Sequence, residues 1–289
     1  MHRPRPLALV LALLLLAGTT GCNEAEKRFV ELSNQGIAAL DNEDYLRADA
    51  IFRDALKLKP ADADVRYYLG IIALRDGHFQ EAADHLATSV QADKGRPEAH
   101  LTLAKAQYEL HQPKQALDAL QGLFKVDPGH PQGHFLAARI ALDAKDRVVA
   151  DKALRNAVAG DVGFVPAYQM LSQLYVEVGA YDAARLVLQE GLKFNAEAVE
   201  LREALGLVML DLGRPDKART ELEAAAQLPR ARPQVNFSLA AAQLQLGDKD
   251  AAVQALRAFL AHAYGVLDPK DPLMQQASNM VIKLRKKAE

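Results

Sequence analysis

Residues 199–232 read VELREALGLVMLDLGRPDKARTELEAAAQLPRAR, and three of them set a pattern for the whole chain. A small residue, Gly206, is followed twelve positions later by Ala218 and four after that by Leu222. The alanine recurs every 34 residues without a slip, at Ala48, Ala82, Ala116, Ala150, Ala184, Ala218 and Ala252. The large apolar partner recurs with it, at Phe52, Leu86, Leu120, Leu154, Leu188, Leu222 and Leu256. So does the small residue, at Gly36, Gly70, Ala104, Ala138, Ser172, Gly206 and Ala240. A period this strict is set by geometry: each unit needs a small side chain where two helix backbones approach and a large one where the next layer must be filled.

Counting the alanine as position 20, units begin at Phe29, Ala63, Pro97, Pro131, Val165, Val199 and Pro233. Each reads as two helices with a break near positions 14 to 17. Asp76-Gly77-His78, Gly179-Ala180, Gly213-Arg214-Pro215 and Gly247-Asp248 are such breaks, because Gly, Asn, Asp and Pro stop a helix and let the backbone reverse. Pro97, Pro131, Pro166 and Pro233 mark the second break, since proline is tolerated in the first turn of a helix and penalised inside one.

Composition agrees. Of the 289 residues, 50% are apolar and only 6% aromatic, with no Trp, which suits Ala- and Leu-rich helix packing; alternating Val/Ile/Thr runs that would announce a sheet are missing. The formal net charge of −2 contains Arg3 and Arg5 and no acid from the first 21 residues, so it falls to −4 without them. No basic stripe stands out, which argues against nucleic acid as a partner.

The pattern resembles the tetratricopeptide repeat over residues 29–266. Positions 7, 8, 20, 24 and 27 carry the likeness, with Leu69, Leu103, Leu171, Leu205 and Leu239 at position 7. Gln35 departs from it in the first unit, and Leu123 and Phe259 are large at position 27 where the family is small, which predicts local shifts in units three and seven. The resemblance implies an all-α, right-handed superhelical solenoid of seven helix-turn-helix units. Residues 267–289 fall outside the repeat: Asp271-Pro272 reads as a helix start, and Leu273, Ala277, Met280, Val281 and Leu284 follow helical spacing, as expected of a capping helix.

The N-terminus reads as an address. Residues 1–21 join a basic start (Arg3, Arg5), an apolar run from Leu7 to Ala17 and a small-residue stretch, the layout of an export signal. The apolar run falls short of the ~20 residues needed to span a bilayer core. Thr19-Thr20-Gly21-Cys22 resembles the bacterial lipobox, which implies cleavage before Cys22, the chain's only cysteine, and lipidation of its sulfur and new amine. Thr19 departs from the Leu usual there. Asn23 in place of Asp implies, by the same resemblance, anchoring at the periplasmic face of the outer membrane, with residues 22–28 as a tether. The alternative is a soluble periplasmic protein, cut by ordinary signal peptidase.

Zinc-protease spacing, paired cysteines and glycine-rich phosphate loops are absent from the sequence, so neither catalysis nor a cofactor or metal is expected. His130 and His134 lie four apart, but His130 precedes Pro131 and no third ligand is evident.

What remains is a groove. In the family, first helices line a concave surface through positions 2, 5, 9, 12 and 13. Read at positions 5 and 9, this implies Tyr67 and Ile71, Leu101 and Lys105, Phe135 and Arg139, Gln169 and Gln173, and Phe237. Aromatic anchors and Arg often carry interface energy, and Lys105 with Arg139 suit a carboxylate. The subfamily that holds chaperone C-termini uses Lys at position 5 with Asn at position 9 of one unit. Ser33 with Ile37, and Tyr67 with Ile71, do not match it. The combined features are similar to lipid-anchored repeat scaffolds that assist secretin, pilus or polysaccharide-export machines. A periplasmic chaperone or an adaptor for peptidoglycan hydrolases stays open beside that reading.

Overall fold

The structure, a computed structural model, describes residues 7–268 and 270–285, with side chains from residue 24 onward. Cys22 therefore lies outside the described side chains, and Lys286 and Lys287 lie outside the described residues. Among the described residues there are 15 helices and no named strand. The chain divides into two compact units, one ending at Gly133 and the other beginning at His134.

The first unit holds α1 (Leu7–Asp41), α2 (Tyr45–Leu58), α3 (Ala63–Arg75), α4 (Phe79–Ala92), α5 (Pro97–Glu109) and α6 (Pro113–Val126). The second holds most of α7 (Pro131–Asp143), then α8 (Arg147–Gly160), α9 (Val165–Glu177), α10 (Tyr181–Phe194), α11 (Val199–Asp211), α12 (Pro215–Ala226), α13 (Pro233–Gln245), α14 (Lys249–Ala263) and α15 (Pro272–Arg285). From the second repeat on, each odd-numbered helix through α13 begins on the first residue of a repeat, and it ends at position 13.

The small and large positions meet as the spacing requires. All seven repeat alanines are fully buried, and so are the large residues four positions on. A Cβ added to Gly36 would lie 2.5 Å from the Phe52 ring, to Gly70 2.5 Å from Leu86 Cγ, and to Gly206 2.5 Å from Leu222 Cγ. Position 8 is small because the side chain at position 24 occupies that space.

The departures at position 27 are compensated by neighbours. Leu123 is fully buried, and a Cβ on Gly133 would come 2.5 Å from its Cδ2, so a glycine makes room for the extra volume. Gly191 shows the reverse exchange, with the Tyr168 ring and Leu201 filling the space its missing side chain leaves. Phe259 is buried edge-on against Phe237, with ring centroids 5.6 Å apart.

Every turn inside a repeat closes the same way. The N–H of position 16 donates to the carbonyl of position 11 at 2.8–2.9 Å in all seven repeats, from Asp44 to Ala39 through Asp248 to Gln243. This six-to-one bond needs a left-handed residue between. Gly77, Gly179, Gly213 and Gly247 supply it, whereas Glu43 (φ 58), His111 (φ 55) and Lys145 (φ 61) adopt it with a side chain. A left-handed L-residue costs about 1–2 kcal/mol, and glycine returns roughly half of that gain as unfolded-chain entropy. Replacing each of the three by glycine is expected to stabilise the chain by about 0.5–1 kcal/mol. Denaturant melts of E43G, H111G and K145G check this; lowered midpoints would contradict it.

The ends follow from what covers them. Position 7 is buried at Leu69, Leu171, Leu205 and Leu239, but the corresponding Gln35 of the first repeat is exposed and hydrogen-bonds Glu31. Residues 24–28, anticipated as a tether, are helical and continue α1; Glu26 pairs with Lys59 at 2.7 Å, and the Lys59 ammonium sits 4.3 Å over the Phe29 ring. At the other end α15 starts where Asp271 Oδ1 accepts from the Leu273 N–H at 2.8 Å. Ala277 is buried, while Leu273, Met274, Met280, Val281 and Leu284 pack against the last repeats. Among the described residues no helix is long and apolar enough to cross a membrane.

Candidate binding groove

In the second unit the first helices of repeats five, six and seven enclose a cavity of about 560 Å³. Helix α9 contributes Gln169, Ser172, Gln173 and Val176; α11 contributes Ala204, Leu207, Val208, Leu210 and Asp211; α13 contributes Gln245. Small side chains at Ser172 and Ala204 leave the space, and the helix period brings positions 5, 9, 12 and 13 to one face. Leu207 is 43% exposed, a large aliphatic side chain left on an otherwise amide-rich wall. A second cavity of about 510 Å³ shares Gln169 and continues past the N-terminal ends of α9 and α11, where Glu197, Glu200 and Arg230 line it. The two cavities have Gln169 in common, and their linings offer donors and acceptors from three glutamines beside aliphatic side chains. Such a surface can hydrogen-bond a polypeptide backbone and seat a side chain.

The residues anticipated from sequence divide sharply. Gln169 and Gln173 line the groove. Phe135 is half-buried and packs edge-on against Phe164 at 5.5 Å, and it does not line these two cavities. Phe237 is likewise half-buried, with its ring against Phe259 at the edge of the core. In the first unit Leu101 is buried at 6% exposure, so it is a packing residue. Tyr67 is half-buried beside Tyr68, with the Arg96 guanidinium 5.1 Å from its ring, and burial pushes its phenol up. Ile71 is half-buried. Lys105 is exposed, yet the surrounding protein lowers its ammonium by desolvation. Arg139 is exposed on α7 in the second unit, and neither cation lines these two cavities. Leu207, Val176, Asp211 and Gln245 were missed, although positions 9, 12 and 13 of repeats five to seven name them directly. Reading repeat six at position 9 alone would have found Leu207.

Two polar clusters that could suggest chemistry are structural. His130 stands before α7 and its Nδ1 accepts from the Gly133 N–H at 3.2 Å, while His100 Nε2 bonds the Lys94 carbonyl at 3.1 Å. Glu203, the position-5 residue of repeat six, is buried and accepts from Arg232 at 2.5 Å and from Ser238 at 3.4 Å, tying α11 to α13. Among the described residues no group of three or more His, Cys, Asp or Glu is placed to hold a metal ion.

In the first unit His85 is buried between Arg66, whose Nη1 lies 3.1 Å from Nδ1, and Glu81, 3.7 Å from Nε2. Burial, then the Arg66 charge, lowers its pKa below the ordinary 6.5. The folded state therefore disfavours a proton that the unfolded chain accepts, so stability falls as pH drops below 6.5 and levels off below the folded pKa. The slope is at most about 1.4 kcal/mol per pH unit. His85→Gln is expected to flatten the stability profile between neutral and mildly acid pH. Equal slopes for both proteins would contradict this.

Tetratricopeptide repeat profiles match the chain over residues 33–97, 170–236 and 210–272, and another of the same description matches 73–140. No curated protein sequence matches it. Among solved structures, the C-terminal part of a repeat protein from Cytophaga hutchinsonii is similar with a TM-score of 0.65 at 13% identity, over 85% of this chain and 98% of that one. A tetratricopeptide repeat protein from Parabacteroides merdae gives 0.60 at 15% identity, over 89% and 99%. YrrB, described as a TPR protein with an unusual peptide-binding site, gives 0.51 at 14%, over 68% and 99%.

Proposed function

Because the chain belongs to the tetratricopeptide repeat family, we propose that it is a non-enzymatic scaffold that holds a protein partner in the groove between α9, α11 and α13. The observation that carries this is the groove's lining. Gln169, Gln173 and Gln245 surround the exposed Leu207, which suits a peptide better than a small charged metabolite. YrrB, of the same fold, is described as having a peptide-binding site, which supports the reading as an analogy.

The proposed workplace is the periplasmic face of the outer membrane, with lipid on Cys22. Acyl chains add roughly 0.8 kcal/mol for each buried CH₂, so two or three of them hold a protein firmly at a bilayer. Mass spectrometry of the mature N-terminus is expected to find a diacylglyceryl group and an added acyl chain on Cys22. An unmodified Cys22 would exclude the anchored form and leave a soluble periplasmic carrier. The proposed task is to assist assembly of an envelope machine of the secretin, pilus or polysaccharide-export kind. Deletion should leave such a machine misplaced or unassembled, and normal multimers in the deletion strain would rule that role out.

A further inference from the structure

We propose that this groove selects an extended segment carrying two basic residues about five positions apart with an uncharged aliphatic side chain between them; the proposal rests on the peptide-groove reading above. The charges on the lining are its basis. The two cavities that meet at Gln169 carry three carboxylates, Asp211, Glu197 and Glu200, against one guanidinium, Arg230. None of the three carboxylates makes an ion pair among the described residues.

Glu200 stands in the first turn of α11, where the helix field favours an acid anyway. Asp211 is different. It ends the same helix, where the carbonyl-rich terminus repels a carboxylate, and no basic residue stands in that last turn to relieve it. Its position serves neither the helix nor an internal pair, and it faces the cavity. One repeat earlier, at the end of α9, Glu177 holds the equivalent helix position, but it has Arg147 3.7 Å away.

Geometry then fixes the spacing. Glu200 and Asp211 are eleven residues apart on α11, which separates them by roughly 16 Å along the helix. An extended chain covers about 3.3 Å per residue, so it spans that distance in about five residues. A cation near each end meets a carboxylate, and the side chain between them falls on Leu207. This is the opposite polarity to the carboxylate ligand that Lys105 and Arg139 suggested from sequence.

The test uses the full-length protein and two fluorescein-labelled peptides of alanine and leucine, identical except for lysine or glutamate at two positions five apart. Fluorescence anisotropy is expected to show the lysine peptide binding about tenfold tighter or better, with the preference shrinking as salt rises. Asp211→Asn combined with Glu200→Gln should abolish the preference while thermal melts stay unchanged. Equal affinity for both peptides, weakened by Leu207→Asn, would overturn the charge inference and leave the groove reading intact. Binding by neither peptide, or binding insensitive to Leu207→Asn, would overturn both.

Discussion

Leu222→Ala is expected to lower the stability of the second unit by about 2–5 kcal/mol, the range for emptying a core site that collapses poorly. Leu222 is fully buried, and it fills the space that Gly206 leaves open on the facing helix. The loss therefore combines the transfer free energy of the side chain with a cavity between two helices held apart by their other contacts. Gly206→Ala in the native background should change little. Its new methyl crowds Leu222 Cγ, but repeats three, four and seven already hold alanine at that position beside a leucine, and alanine favours the helix by about 1 kcal/mol. Added to Leu222→Ala, the same substitution gains both the helix preference and a partly filled cavity, returning about 1 kcal/mol or more. A double-mutant cycle in denaturant measures the coupling. Strict additivity would show that positions 8 and 24 do not share one space.

Leu207→Asn is expected to weaken partner binding about 30-fold or more while costing the fold only about 1–2 kcal/mol. The side chain is 43% exposed on the groove floor, so the fold gives up less than it would at a fully buried leucine. In a complex it is the largest aliphatic surface among the amides, the kind of central contact whose truncation costs about 2 kcal/mol or more. Asparagine keeps the number and branching of the side-chain heavy atoms and adds no charge, so the result separates apolar contact from electrostatics. Phe135→Ala, by contrast, would confound the two readouts, because Phe135 supports Phe164 and its loss disturbs packing before it reaches any ligand.

The fold was legible because one steric rule is written seven times. A glycine, alanine or serine at position 8 and a large side chain at position 24 are two statements of the same contact, and repetition makes the contact visible without coordinates. The exposed Gln35 was legible because a polar side chain stands where five later repeats carry leucine. Where the pattern broke, the sequence told less. Leu123 and Phe259 marked altered packing, but the compensating Gly133 sits in the next repeat and the Phe259 partner, Phe237, in an earlier helix of its own.

The groove was only half legible. Register identifies which positions can face it, and Gln169 and Gln173 were found that way. Register does not say how far an aromatic ring turns toward a neighbour, and Phe135 and Phe237 are half-buried against Phe164 and Phe259. Leu207 looked like one more leucine in a leucine-rich chain. Its exposure depends on small neighbours, Ser172 and Ala204, that open the space around it.

The most direct test of the central claim places a photoreactive phenylalanine analogue at position 207 or at position 186 of the protein in its native envelope. Leu186 is 58% exposed on α10, the second helix of repeat five, and does not line the groove. A partner held by α9, α11 and α13 should give a discrete crosslinked species from position 207 and little or none from position 186. Crosslinking at equal yield from both positions, or from 186 alone, would contradict the assignment of the groove as the binding surface.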